Sequence, residues 1–270
     1  MKEIVEEESV SIVRACRATE LNRSMFYYST VLDDREVETK LREYAERLPA
    51  GGFPEYYKRI RKEGFKWNHK RVGRVYIKLG MSRRRRVKRR IPNPEKTPLL
   101  QPISSNLTWS IDFMDDRLIN GRKFRTLNMI DDYNREALAV DIEFSFPSER
   151  VVERIKDIIE WKGKPDEIRS DNGTEFVAKS FEAFCNEFKI KHIRSQKGRP
   201  MQDGYIERFN RTYRENVLNM NLFDNLNQVM ELTEAFVDDY NNNHPHKSLG
   251  DKSPVSFSRD RNKNVTLSSV

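Results

Sequence analysis

Three carboxylates stand in short polar-aromatic phrases: Asp112 in Thr-Trp-Ser-Ile-Asp-Phe-Met, Asp171 in Arg-Ser-Asp-Asn-Gly-Thr-Glu-Phe, and Glu207 in Asp-Gly-Tyr-Ile-Glu-Arg-Phe-Asn. Between the last two lie 35 residues. If the fold gathers them, they make an all-oxygen site for hard divalent cations. Magnesium favours oxygen ligands, keeps several waters, and completes its shell with a few carboxylates and substrate phosphate oxygens. Two such ions activate an attacking hydroxyl and stabilise the leaving oxygen of an in-line phosphodiester displacement. That is the chemistry of cutting and joining nucleic acid.

The elements around these residues could bring them together. Trp109, Ile111 and Phe113 alternate with Ser110, Asp112 and Met114, a period of two that predicts a strand. Further strands are predicted over 124–130 and 137–144, with turns at Gly121 and over 131–134, giving a three-stranded antiparallel meander. Pro147 and Ser148 open an amphipathic helix that Gly163 and Pro165 stop. A short strand over 167–170 ends at Asp171, a helix over 180–188 follows, and 191–194 is a last strand. Gly198, Arg199 and Pro200 then precede a long helix over 202–219 that carries Glu207. Strands in a meander, then alternating with helices, define an α/β class: a mixed sheet flanked by helices. Asp171 falls at the carboxyl end of a strand, where open α/β sheets bind ligands.

The amino-terminal part differs. Residues 9–28 read as helix, turn, helix, with Ser24 as a cap for the second piece. A helix is predicted over 35–48, and a second helix-turn-helix over 55–63 and 68–79, with Asn68 as N-cap. Val72, Val75, Tyr76 and Leu79 form the apolar stripe of its second helix. Lys70, Arg71 and Arg74 then face outward with Asn68 at the tip, as in a helix that reads the major groove. The full chain carries 50 Lys and Arg against 42 Asp and Glu, net +8. Residues 51–90 hold 16 of the cations and two Glu, so the basic footprint is local. Its densest part is Arg83, Arg84, Arg85, Arg86, Lys88, Arg89 and Arg90, seven like charges that repel one another until a phosphate backbone neutralises them. Pro92, Pro94, Pro98 and Pro102 space a linker with little capacity for helix.

These boundaries divide the chain into a helix-turn-helix-like segment (1–34), a second such segment with its basic arm (35–90), a proline-rich linker (91–105), a catalytic core (106–219) and a carboxyl-terminal helix and tail (220–270). Two cysteines, Cys16 and Cys185, lack the spacing of a disulfide framework or a zinc finger. No run of about 18 apolar residues suggests a spanning helix, and no export signal is legible. A reducing cytoplasm is the expected compartment.

The phrases Trp109-x-x-Asp112, Phe124-x-x-Leu127-x-x-Ile130-Asp131-Asp132-x-Asn134-Arg135, Arg169-Ser170-Asp171-Asn172-Gly173-x-Glu175-Phe176, and Gly198-x-Pro200-Met201-Gln202-x-Gly204-x-x-Glu207-Arg208-Phe209-Asn210 stand in one order. Tyr240-Asn241, Pro245-His246 and Ser248-Leu249 follow. With them the chain resembles the retroviral-integrase superfamily, and most closely the second-reading-frame product of bacterial insertion-sequence transposases whose two frames are fused by ribosomal frameshifting. The resemblance covers 107–257 and includes the family's 35-residue triad spacing. It implies a ribonuclease H-like core, magnesium or manganese with two ions per active site, and Asp112, Asp171 and Glu207 as metal ligands and catalytic residues. It also implies strand cleavage and strand transfer at the inverted-repeat ends of an element, with duplex DNA as both donor and target. The implied protein partners are the upstream-frame product, as fusion or subunit, and further copies of this chain.

Lys197, Arg199, Arg208 and Arg211 surround the third carboxylate in sequence and read as phosphate contacts at the cut. Asp115 and Asp116 rival Asp112 but fall near the expected turn, and Asp131 and Asp132 read as turn residues. Three departures from the family pattern stand out. Pro54 to Ile60 replace a Tyr-Gly-Tyr-Arg-Arg-Ile phrase, Asp203 stands where Asn is usual, and His244 stands where Arg is usual. Asp203, four residues before Glu207, would share its helix face. A non-enzymatic DNA-binding regulator or decayed relative is the alternative; the presence of all three carboxylates speaks against it. A retroviral integrase would need an amino-terminal His-His-Cys-Cys site, which the chain lacks, and the basic arm favours duplex DNA over an RNA hybrid.

Overall fold

The computed structural model describes residues 11–20, 22–24, 33–82, 101–195 and 204–267, and the side chains of 262–267 are not described. The chain divides into two compact units, Met1–Thr39 and Lys40–Val270. In the first, helix α1 (Ile12–Ala18) buries Ala15 and Cys16. Ser24 is already helical, so it does not occupy the cap position, and most of the second predicted helix lies outside the described residues. Helix α2 (Arg35–Arg47) follows.

Helices α3 (Phe53–Lys62) and α4 (His69–Lys78) stand where the second helix-turn-helix was expected. Pro54 sits in the first turn of α3, where a missing N–H costs nothing and the fixed φ suits a helix. Gly64 turns the chain at φ 97°, a conformation that side chains rarely adopt. Asn68 caps α4, its side-chain oxygen accepting the Lys70 N–H at 2.8 Å. Phe53 packs on Tyr57, His69 and Tyr76 to join the pair. Lys70 and Arg74 are exposed on α4 and Arg71 is half-buried.

The sheet has five strands in the order β3-β2-β1-β4-β5. Strands β1 (Thr108–Arg117), β2 (Lys123–Asp131) and β3 (Ala137–Glu143) are the antiparallel meander. Strands β4 (Glu167–Ser170) and β5 (Lys191–Arg194) run parallel to β1. Three helices, α5 (Ser148–Lys162), α6 (Thr174–Val177) and α7 (Lys179–Glu187), close one face. There Trp109, Ile111, Leu127, Met129 and Ile168 meet Ile155, Ile158, Phe181 and Phe184. On the other face Met114, Phe124, Ile130 and Ile142 meet Ile206, Phe209 and Tyr213 of α8 (Gly204–Asn216) and Val229 and Tyr240 of α9 (Leu226–Asn242). Helix α10 (Pro254–Leu267) is last. This is the ribonuclease H-like arrangement, and the alternation along β1 and β2 divides their side chains between two cores.

Three details differ from the sequence reading. Strand β1 continues to Arg117 because β2 pairs with it as far as Arg117↔Lys123, so Asp115 and Asp116 are strand residues. Helix α6 is a single turn, too short to carry a periodic pattern. Helix α8 ends at Asn216, short of the predicted 219. There the amide groups of Asn216 and Asn221 donate to the carbonyls of Thr212 and Val217, competing with further helical bonds.

Candidate active site

Ser110, Asp112 and Met114 point to the α8 side of the sheet, since Trp109 and Ile111 fill the opposite core. Helix α8 crosses that side. Asp112 and Glu207 both line an open cleft of about 560 Å³, together with Phe113, Met114, Asp115, Asn210, Arg211 and Arg214. Asp171 follows directly on β4. The last paired position between β1 and β4 is Ser110↔Arg169, and two residues further along each chain stand Asp112 and Asp171. Asp112 is half-buried, Asp171 and Glu207 exposed.

Two of the carboxylates, Asp112 and Asp171, are held by backbone or amide donors. Asp112 Oδ1 accepts the Phe113 N–H at 2.9 Å, and its Oδ2 accepts from Asn210 Nδ2 at 2.7 Å. Asp171 Oδ1 accepts the Gly173 N–H at 2.9 Å. A Cβ on Gly173 would stand 3.0 Å from that same oxygen, so any larger residue would push the carboxylate by a few tenths of an ångström. Asn172 donates to the Ser195 carbonyl at 2.9 Å, fastening the turn to the end of β5.

The neighbouring charges are paired. Glu175 bonds Arg125, which also faces Asp115 and lies over the Phe113 ring. Burial alone would raise the Glu175 pKa, but the Arg125 contact outweighs it and holds the pKa below the usual range. Asp132 is fully buried and takes Ser110 Oγ and Arg169 Nη1, each at 2.7 Å. Burial lifts it to about 6 against those partners. Asp131 accepts the backbone N–H groups of Asn106 and Tyr133. Asp131 thus holds the β2–β3 turn, where Arg135 takes φ 65°, whereas Asp132, inside that turn, ties it to β1 and β4.

Among the expected DNA contacts, Arg211 lines the cleft and Arg208 is exposed nearby on α8. Lys197, Arg199, Asp203 and residues 83–90 lie outside the described residues. A larger cavity of about 620 Å³ between β3 and α9 holds none of the three carboxylates. Its Asp141 and Glu143 are already paired with Arg154 and Arg150.

The histidines are structural. His192 Nε2 meets Ser170 Oγ at 2.8 Å and packs edge-on to Phe181. His244 lies flat on Tyr240 and reaches Glu55 of α3 at 3.3 Å. His246 is buried, with Nε2 unpartnered. Burial, with the nearby positive groups of His244, Arg135 and Arg208, pushes its pKa down to about 3. The unfolded state therefore binds the proton first, and stability is lost as pH falls through 6.5 toward 3, at about 1.4 kcal/mol per pH unit. Asp132 works oppositely, its raised pKa favouring the fold at lower pH. The difference isolates the histidine: in urea titrations between pH 6.5 and 5, His246→Gln should lose stability less steeply than wild type by about that slope. Parallel curves would contradict it.

Among the described residues, no three His, Cys, Asp or Glu side chains converge closely enough to enclose a metal ion. The cleft still fits a hydrated one. Its carboxylates offer oxygen, Asp112 and Glu207 share one open space with Asp115, and magnesium needs only one or two when substrate phosphates and water supply the rest. Sequence reasoning missed Asn128, which faces the same side as Asp112. An amide inside the apolar run of β2 was the available signal.

Residues 104–200 match the family described as Integrase core domain, and 188–254 match a second family of that description. The chain is 33% identical over 261 residues to the insertion element IS407 uncharacterized 31.7 kDa protein of Burkholderia multivorans, covering 95% of this chain and 94% of that one. It is 31% identical over 259 residues to the insertion element IS476 uncharacterized 39.2 kDa protein of Xanthomonas euvesicatoria, covering 95% and 75%. Among solved structures, the HTLV-2 integrase catalytic core domain in complex with magnesium aligns at a TM-score of 0.48 and 22% identity, over 58% of this chain and 98% of that chain.

Proposed function

Because the chain belongs to the insertion-element transposases built on an integrase core domain, we propose that it is the DNA-cleaving and strand-transferring subunit of such an element, acting at inverted-repeat ends. The observation that carries this reading is the cleft shared by Asp112 and Glu207, with Asp171 on the adjoining strand end. These three side chains would hold magnesium or manganese, two ions per site. Ions held there would supply activation of the attacking hydroxyl and neutralisation of charge on the leaving oxygen. The chain's own part is to fix the carboxylates on two parallel strands and a crossing helix, and to bring phosphate to them. Arg211 lines the cleft from the same helix as Glu207, so it would hold a phosphate beside the reacting one. Arg208, Lys197 and Arg199 extend that contact.

Duplex DNA would be gripped by α4, through Asn68, Lys70, Arg71 and Arg74, and by the arm Arg83 to Arg90. In this division α4 reads sequence and the arm supplies affinity. Replacing four of the arm's arginines with Gln should weaken binding to every duplex, each lost phosphate contact lowering the log-log salt slope by about 0.9. A loss confined to one terminal sequence, with the slope unchanged, would contradict this. Arg71→Ala should narrow the affinity ratio between cognate and random ends. Asn68→Ala should do so too and also destabilise α4 by about 1 kcal/mol, since its oxygen caps the helix. An untouched ratio would make α4 structural. The chain would act as a homo-oligomer on DNA, with the upstream-frame product as fusion or partner, in the bacterial cytoplasm.

The function is tested by incubating the full chain with a duplex carrying its element's ends. Magnesium-dependent nicks leaving 3′-hydroxyls at the repeat boundary are expected. Sequence-specific binding without nicking, in magnesium and in manganese, would favour a non-enzymatic regulator.

A further inference from the structure

Asn210 stands three residues after Glu207 on α8, which puts both on one helix face. It is 8% exposed, and its amide is spoken for at both ends: Nδ2 donates to Asp112 Oδ2 at 2.7 Å, and Oδ1 accepts from Asn128 Nδ2 at 2.7 Å. Asn128 is fully buried on β2, directly opposite Asp112 in the antiparallel register. A carboxylate only accepts, so Asn210 must turn its NH2 to Asp112, its oxygen is left for Asn128, and Asn128 must give its own NH2. The chain of donors thus has one direction, and the charge of Asp112 sets it.

We propose that Asn210 and Asn128 are positioning residues for the metal site, a two-amide relay that fixes the plane of the Asp112 carboxylate and its separation from Glu207. The inference rests on the reading of Asp112, Asp171 and Glu207 as the metal-holding set. Two donors, the Phe113 N–H and the Asn210 amide, clamp one oxygen each of Asp112. The Asn210 bond also ties β1 to the helix that carries the third carboxylate. Asn128 touches neither solvent nor cleft, and its own Oδ1 is buried without a partner. An unmet buried amide oxygen is costly. An apolar residue would serve the fold alone better at this place between Leu127 and Met129. The amide is explained by what it does to Asn210.

Partners of this kind that orient a metal ligand change metal affinity by 10- to 100-fold when removed. Manganese binding to the full chain without DNA, read from the electron-paramagnetic signal of the free ion, tests this independently of catalysis. Asn210→Ala and Asn128→Leu should each weaken manganese binding by about 10-fold or more. The double variant should bind no more weakly than the weaker single one, because the two amides act in series. Asn128→Leu has nearly the shape of the native residue and should fold with unchanged or raised thermal stability. Thr233→Val, which removes the buried hydrogen bond between Tyr213 and Thr233 on the same side of the sheet, should lower thermal stability and leave manganese binding as it was. Asp112→Asn should abolish binding. If it does and Asn128→Leu binds like wild type, the relay is wrong and the metal site stands. If Asp112→Asn leaves manganese binding intact, both fall. Additive losses in the double variant would also overturn the relay.

Discussion

Asp112→Asn, Asp171→Asn and Glu207→Gln are each expected to reduce DNA cleavage by about 10³-fold or more, the order of loss when one member of a set that acts as a unit is removed. Each substitution keeps the shape of the side chain and removes a charge that a hard cation needs. Affinity for duplex DNA should fall little in any of them, because the proposed grip is assigned to cationic and amide side chains and none of the three carboxylates belongs to it. Combining two substitutions should cost scarcely more than one. Cleavage and binding are measured separately, by product release and by electrophoretic retardation. A tenfold effect or less at any of the three would remove that residue from the catalytic set.

Arg59→Ala is expected to destabilise the protein by about 3 kcal/mol, toward the lower end of what breaking a buried ion pair costs. Arg59 is 4% exposed, and its guanidinium grips Asp239 of α9 with two parallel bonds of 2.8 and 2.7 Å while also holding Glu55. Burial alone would lower its pKa, but Asp239 and Glu55 outweigh that and hold it above the ordinary value. Asp239 shows the mirror image: burial would raise it, and Arg59 keeps it low. Removing the cation leaves Asp239 with Arg47, which is why the loss should stop short of the upper range. Arg59→Lys should recover less than half, since an ammonium cannot make the bidentate contact. The measurement is urea unfolding at neutral pH, and a shift under 1 kcal/mol would contradict the role assigned to this pair.

Arg59 also shows where sequence reasoning stops. The basic character of residues 51–90 is legible as a footprint for a polyanion, yet Lys58, Arg59 and Lys62 of α3 bond partners within the chain, Asp251, Asp239 and Asn243. Nothing in a local pattern distinguishes a cation aimed at phosphate from one aimed at a carboxylate 180 residues away. His244, standing where the family phrase has Arg, likewise serves the protein itself: it packs on Tyr240 and meets Glu55.

The strands were legible because the alternation of Trp109, Ile111 and Phe113 with Ser110, Asp112 and Met114 reflects two distinct cores, one on each face of the sheet. The placement of Asp171 at a strand end followed from its neighbours in the same way. The end of β1 was not legible, because Asp115 and Asp116 have turn chemistry and are kept in the strand by pairing with β2. The Asn128–Asn210–Asp112 chain was beyond reach for a similar reason. Its members are 82 and 98 residues apart in sequence at each bond, and only the register and the crossing of α8 join them.

The most direct measurement is strand joining. Full-length protein is mixed with a labelled duplex bearing the element's cleaved 3′ ends and a supercoiled target, in magnesium. The expected result is covalent attachment of the labelled ends to target DNA, abolished by chelation and by Asp171→Asn while both DNAs remain bound. Joined product that persists at wild-type level in Asp171→Asn, or forms without divalent metal, would contradict the assignment of these carboxylates to the chemistry.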